Sequence, residues 1–278
     1  MSATTAGRLR FIDSGRRIST GLAIAAVVFG SVVTVPTFTV VVLVATIGSL
    51  WELARMTARK GEPLVFPVGA LAIGTYVILA ALGKQHAYEK TVLAATVLGS
   101  LAFSLIGDRQ NYISRSAYTL FGVLYIGWLG SYFLALRNLP HVGMGITFAA
   151  IVVIAFTDIF AMVVGTMLGK TPLTSISPNK TWEGAIGGFA ASVAIGSAMG
   201  AIPVLGISWF DGAIVGAITS VAAQAGDIVE SALKRDARVK DASNILAGHG
   251  GILDRFDSYI FGGIAFYAAL FITGHIPH

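Results

Sequence analysis

Residues 144–168 read MGITFAAIVVIAFTDIFAMVVGTML, an apolar run broken by one charge, Asp158. A helix crossing the roughly 30 Å hydrocarbon core takes about 17–25 such residues, so this stretch is long enough to span a bilayer. Working outward, comparable runs occupy about 18–35, 37–54, 64–82, 91–107, 117–136, 185–203, 209–229 and 258–274. They are separated where helices should break, at Pro36, Gly61-Glu62-Pro63, Pro140, and Pro203 with Gly206. Of the 278 residues, 55% are hydrophobic and only 12% charged, whereas soluble domains carry about a quarter charged residues. A water-soluble domain is therefore excluded, as are disordered and collagen-like chains. The absence of Cys removes thiol catalysis, thiolate zinc sites and iron–sulfur clusters. The sequence predicts an all-α polytopic membrane protein with about nine transmembrane helices.

The basic residues orient those spans, because Lys and Arg collect in cytoplasmic loops. With a cytoplasmic N-terminus and an outside C-terminus, only Lys84, Lys90 and Arg137 of the 19 Lys and Arg fall outside. The arm holding Arg8, Arg10, Arg16 and Arg17 resembles a signal peptide, but its long apolar run leads into further spans and reads as an uncleaved first helix. The net charge of +5 then reflects topology and anionic lipid headgroups, with no nucleic acid required. The expected division is residues 1–140, five scaffold helices, and 141–278, four catalytic helices with a cytoplasmic loop.

The first five spans read as free of intramembrane acid, with Trp51, Trp128, Tyr112 and Tyr132 near span ends like an interfacial aromatic belt. Chemistry gathers later. Asp158 lies mid-span, where a carboxylate is costly unless it faces a polar cavity. Ser177-Pro178-Asn179-Lys180-Thr181-Trp182-Glu183-Gly184 offers a capping Ser177, a first-turn Pro178, a Lys180–Glu183 pair and an anion site at a helix start. Asp227, Glu230 or Ser231, and Lys234 fall on one helical stripe. After Lys234-Arg235-Asp236-Ala237-Arg238-Val239-Lys240-Asp241 comes Gly248-His249-Gly250-Gly251-Ile252-Leu253-Asp254-Arg255-Phe256-Asp257. The glycines would let backbone approach a ligand, with a helix start directing N–H groups at it. Asp227 and Asp254 bracket this loop, Asp254 and Asp257 share a face, and the surrounding cations complete a set suited to a metal-bound polyphosphate.

These residues resemble the signature of the phosphatidate cytidylyltransferase (CDP-diacylglycerol synthase) family: S-x-apolar-K-R, four residues, K-D, then H-G-G-apolar-x-D-R-apolar-D. Ser231, Leu233, Lys234, Arg235, Lys240, Asp241, His249, Gly250, Gly251, Ile252, Asp254, Arg255, Phe256 and Asp257 match it in that spacing. The stretch from Ser177 to Gly184 is similar to the family's S-P-K-K-T-x-E-G element, and Asp158 to its D-T-x-A-Y element. Ala247 stands where the family has Pro, Asn179 where it has Lys, and Ile159 and Met162 where it has Thr and Tyr.

The resemblance implies transfer of CMP from CTP to phosphatidic acid in the cytoplasmic membrane, with the active site on the cytoplasmic side. It implies Mg²⁺ and a second cation such as K⁺, with membrane lipids, and a homodimer, as further partners. Asp227, Asp254, Lys234 and Arg235 would carry the chemistry, with Asp227 and Asp254 holding metal and Asp257 and Asp158 as further metal candidates. Lys240, Asp241, His249, Gly250, Gly251, Arg255, Ser177, Asn179, Lys180 and Glu183 would bind substrate. A lipid phosphate with a second pKa near 6 is mostly dianionic at neutral pH, so it attacks phosphorus without a general base; His249 then serves as a phosphate donor or loop stabiliser. Two other readings follow from the same residues: a cation- or proton-coupled transporter using Asp158, and a nucleotide-dependent enzyme acting on a polyprenol or other lipid alcohol, which would require a base.

Overall fold

The computed structural model describes residues 20–106, 111–243, 245 and 250–276. Among them it forms nine helices: α1 (Thr20–Ser31), α2 (Val35–Arg59), α3 (Phe66–Ala81), α4 (Gln85–Ser104), α5 (Tyr112–Arg137), α6 (Gly143–Leu168), α7 (Trp182–Ala198), α8 (Trp209–Asp236) and α9 (Leu253–Ile272). Each expected span meets one helix, but the bounds differ: α1 and α3 are shorter than their apolar stretches, whereas two site-bearing helices overrun theirs. α8 continues to Asp236 where the apolar run stops near 229, and α9 starts at Leu253 where the run starts near 258. Apolar length measures what must lie in hydrocarbon, whereas a helix continues into polar surroundings as long as its backbone bonds and caps are satisfied. The Arg8–Arg17 cluster and Arg109 lie outside the described residues.

Six helices (α2 and α5 to α9) are long and apolar enough to cross a membrane; α1 and α3 are shorter. α4 opens on a polar turn with Gln85, His86, Glu89 and Lys90. Leu71, Ile113, Met167 and Ile272 are each more than two-thirds exposed, an apolar surface that suits acyl chains and not water. The protein is a membrane protein. Inside, Leu50, Ile73, Ile126, Leu134, Ile154, Leu253 and Phe266 belong to one continuous buried cluster, which runs through both halves of the chain. Tyr132 also faces inward, against the rings of Trp128, His86 and Tyr267, rather than joining a lipid-facing belt.

The site-bearing helices approach closely because small residues line their contacts. On α7, Gly184, Gly188, Ser192 and Gly196 recur every fourth position and are all buried. A Cβ on Gly184 would lie 2.6 Å from the Ala161 carbonyl oxygen, and one on Gly188 2.6 Å from that of Thr157, both on α6. On the other side Ser192 donates its hydroxyl to the Gly216 carbonyl of α8 at 2.9 Å. In hydrocarbon there is little hydrophobic drive between helices, so van der Waals contact of this kind holds them together. α9 docks on α8 where Gly226 leaves room, since a Cβ there would sit 2.7 Å from the Asp257 carbonyl oxygen. Just past α2, Lys60 donates to Asp236 at 2.6 Å and to Tyr118 at 2.8 Å, joining the ends of α2 and α8. The Asp236 bond foremost holds the Lys60 ammonium above the usual lysine range.

Replacing Gly188 by Leu should force α6 and α7 apart. The expected loss is about 1–3 kcal/mol of stability, read as a lower melting temperature in detergent; an unchanged melt would refute this packing account.

Candidate active site

Asp227, Glu230 and Lys234 lie on one stripe of α8, as their spacing predicts, and Asp257 comes to meet them from the first turns of α9. Asp227, Glu230 and Asp257 each present a carboxylate oxygen within 4.8 Å of the others. Glu230 is 1% and Asp257 7% exposed. Like charges at this separation, taken out of water, repel strongly and demand compensation. Part of it is on hand: Lys234 pairs with Glu230 at 2.6 Å, and Lys180 with Asp227 at 2.7 Å. The Ser258 amide donates to Asp257 at 2.7 Å, and its hydroxyl to Asp158 at 3.2 Å, so Asp158 joins the edge of the same network. Glu230 Oε1, buried, meets no hydrogen-bond donor among the described residues. An all-oxygen donor set with a bare buried oxygen fits a hard cation such as Mg²⁺.

Asp254 is placed differently from the expected pairing with Asp227. Its Oδ1 accepts from Lys234 at 2.7 Å, and its Oδ2 from the amides of Gly251 at 2.7 Å and Ala242 at 3.1 Å. Both oxygens are engaged, so Asp254 holds Lys234 and the loop, while Glu230 and Asp257 stand beside Asp227. Spacing alone put Asp254 and Asp257 on one face of α9; the rotation of α9 against α8 decides which one reaches Asp227.

The glycines also serve another purpose than the expected ligand approach. Gly250 has φ +79°, and a Cβ on it would lie 2.7 Å from Asp254 Oδ2. A Cβ on Gly251 would lie 2.6 Å from Glu52 Oε1. The backbone thus closes on two of the protein's own carboxylates. The amides of Ile252 and Leu253, at the start of α9, donate to the two oxygens of Glu52 at 2.9 and 2.7 Å. That helix start is therefore filled by a side chain of α2. Glu52 is fully buried, which corrects the reading of the first five spans as free of intramembrane acid. A Glu near the end of an apolar run reads as an interfacial residue, and no local spacing links it to a loop two hundred positions away.

The segment between α6 and α7 folds back as a short hairpin, with an isolated bridge between Pro172 and Thr181. α7 begins at Trp182, capped by Thr181, whose hydroxyl accepts the Gly184 amide at 3.1 Å. Ser177 and Pro178 precede that cap, so neither fills the expected helix-start role. Glu183 accepts from the amides of Lys170 at 3.1 Å and Thr171 at 3.2 Å instead of pairing with Lys180. Lys180 is free to reach Asp227 because the hairpin turns it toward α8. Ser177, Asn179, Lys180, Asp158 and Asp227 all line one cavity of about 400 Å³.

A second cavity, of about 540 Å³, is lined by Lys240, Asp241 and Ser243 of the loop and by Arg55 and Arg59 of α2. The two arginines are additions to the expected cation set; their spacing of one helical turn was their only signal. Arg235 and Arg255 are exposed. His249, with Ala247 and Gly248, lies outside the described residues.

A family model described as "Cytidylyltransferase family" matches residues 15–273. The chain is 36% identical over 260 residues to a phosphatidate cytidylyltransferase of Bacillus subtilis, covering 90% of this chain and 95% of that protein. It is 35% identical over 216 residues to one of Staphylococcus haemolyticus, covering 77% and 82%. It is 38% identical over 201 residues to the chloroplastic phosphatidate cytidylyltransferase 4 of Arabidopsis thaliana, covering 64% and 51%.

Lys234 sits between two buried acids, so replacing it by Met strands both. We expect a loss of about 3–5 kcal/mol of stability, since removing one member of a buried ion network leaves uncompensated charge. A detergent melt within error of the wild type would contradict that account.

Proposed function

This chain belongs to the cytidylyltransferase family, and we propose that it transfers CMP from CTP to phosphatidic acid, yielding CDP-diacylglycerol and pyrophosphate. The observation that carries this reading is the meeting of Asp227, Glu230 and Asp257 within 4.8 Å, next to Lys180 and Lys234. Two polyanions must come together for the reaction, and these groups answer that difficulty. Asp227, Glu230 and Asp257 would hold Mg²⁺, which when bound neutralises and orients phosphate oxygens. Lys180 borders the cavity shared with Ser177 and Asn179 and offers its ammonium to a phosphate oxygen there. Lys240, Arg55 and Arg59 surround the second cavity and supply further positive charge for a triphosphate. Lys234 is oriented by Asp254 and Glu230 and keeps the acids from repelling one another.

The nucleophile is the phosphate of the lipid. Its dianion attacks the α-phosphorus of CTP, a bond forms between lipid oxygen and that phosphorus, and the bond to the bridging oxygen breaks, releasing pyrophosphate. No proton is removed from the dianion, so no general base is required. The rate should rise as pH increases through about 6, where that dianion forms, and then level off.

In this reading all nine helices cross the cell membrane, with the N-terminus cytoplasmic and the C-terminus outside. The loop between α8 and α9 and the hairpin before α7 then face the cytoplasm, where CTP is. The proximity of the ends of α2 and α8 through Lys60 and Asp236 supports that alternation. The first five helices act mainly as scaffold, apart from what α2 contributes to the loop.

Purified protein given labelled CTP, Mg²⁺ and phosphatidate in detergent should form labelled CDP-diacylglycerol; failure to do so would overturn the assignment, and substrate flux in sealed vesicles without nucleotide turnover would favour a transporter. Asp257→Asn should lower turnover by at least about 100-fold. Arg59→Ala should raise KM for CTP about tenfold with kcat little changed, as loss of ground-state and transition-state contact alike would do. Wild-type kinetics in either variant would remove that residue from the proposed machinery.

A further inference from the structure

Glu52 is a fully buried acid that takes no part in the chemistry just described. Its Oε1 accepts from the Ile252 amide at 2.9 Å and from the Ser243 hydroxyl, and its Oε2 accepts from the Leu253 amide at 2.7 Å. One side chain of α2 therefore binds the signature loop midway, at Ser243, and again where it enters α9. A carboxylate is the group best suited to that place, because the first amides of α9 have no partner within their own helix and carry its positive end. The fit extends along the same face of α2. One turn before Glu52, a Cβ on Gly48 would lie 2.5 Å from Ile252 Cδ1, so the Ile252 side chain seats against bare backbone. One and two turns after it, Arg55 and Arg59 reach the cavity lined by Lys240 and Asp241.

The consequences run outward from the helix start. With Ile252 and Leu253 held, the following turn sets Asp254, which grips Lys234 at 2.7 Å, and Lys234 in turn meets Glu230 at 2.6 Å. Asp257 lies in the same turn and completes the acid cluster. Glu52 touches none of the three acids, but it sets the rotation and height of the helix that brings one of them in.

We propose that Glu52 is a positioning residue for the transfer reaction: by pinning Ser243 and the first amides of α9, it aligns Asp254 and Asp257 with α8 and holds Lys240 and Asp241 against Arg55 and Arg59. This rests on the cytidylyltransferase reading for its effect on turnover, but the pinning itself is independent of the substrate.

Two variants test it. Glu52→Gln keeps the shape and replaces one acceptor oxygen by a donor group, and Ser243→Ala removes only the hydroxyl. Hydrogen–deuterium exchange in detergent reads the pinning directly. In Glu52→Gln the amides of 251–254 should exchange about tenfold faster, with α6 and α7 protected as in the wild type. In turnover, kcat should fall about tenfold with KM for phosphatidate unchanged, the pattern of misaligned groups and not of lost lipid binding. Ser243→Ala should melt as the wild type does and lose about threefold in kcat. Wild-type exchange and kcat in both variants would overturn the proposal, and so would protection lost evenly across all helices in Glu52→Gln, which marks a merely structural acid. If Glu52→Gln does not fold, Ser243→Ala decides alone: wild-type kcat and exchange in it would overturn the proposal. A wild-type protein that fails to make CDP-diacylglycerol would sink the functional reading while the exchange experiment still decides whether Glu52 pins the loop.

Discussion

Buried negative charge is the constraint around which this protein is arranged. Glu52, Glu230, Asp254 and Asp257 are all at most 7% exposed, either as residues or by their side chains, in a protein surrounded by hydrocarbon. A carboxylate in such a place persists only when donors or cations meet it. Each of the four has its own arrangement: amides at a helix start for Glu52, a lysine and two amides for Asp254, one amide for Asp257, and Lys234 for Glu230. The bonds of Glu52 and Asp254 cross between α2, α8, α9 and the loop. Satisfying them therefore fixes how the helices stand relative to one another.

In the cluster of Asp227, Glu230 and Asp257 compensation is incomplete, because Glu230 Oε1 has no donor among the described residues. Other buried polar atoms without a partner among the described residues, such as the hydroxyls of Ser49, Tyr125 and Thr219, carry no negative charge, so the unmet negative charge lies in this cluster. The hairpin before α7 brings Lys180 to the same region, and α7 reaches it only because glycines let it lie almost backbone to backbone against α6. Close packing by small residues and burial of acids are thus two parts of one construction: the first makes the space narrow, and the second gives it charge.

Membrane spanning, helix number and the chemically rich loop were all legible from apolar runs, basic loops and the signature, since each depends on residues near one another in the chain. Asp227, Glu230 and Lys234 likewise fell on one stripe by spacing alone. The expected anion sites at two helix starts were legible as helix starts, but their amides are taken up internally, by Thr181 and by Glu52. A local pattern shows that a donor needs a partner and does not show which partner arrives. Glu183 and Lys180 make the same point: three residues apart, they bind elsewhere, one to the amides of Lys170 and Thr171 and the other to Asp227.

By itself the sequence determined that the chain must lie in a membrane as helices, because so much apolar surface has no other resting place, and that its signature residues gather around the last two helices. Only the tertiary structure decided that Asp257 and Glu230, and not Asp254, stand with Asp227, and that Glu52 of α2 closes the start of α9. The reason is geometric. Spacing along a helix fixes which side chains share a face, but the rotation of one helix against another, set by contacts such as Gly226 on Asp257 and Gly48 on Ile252, decides what that face meets.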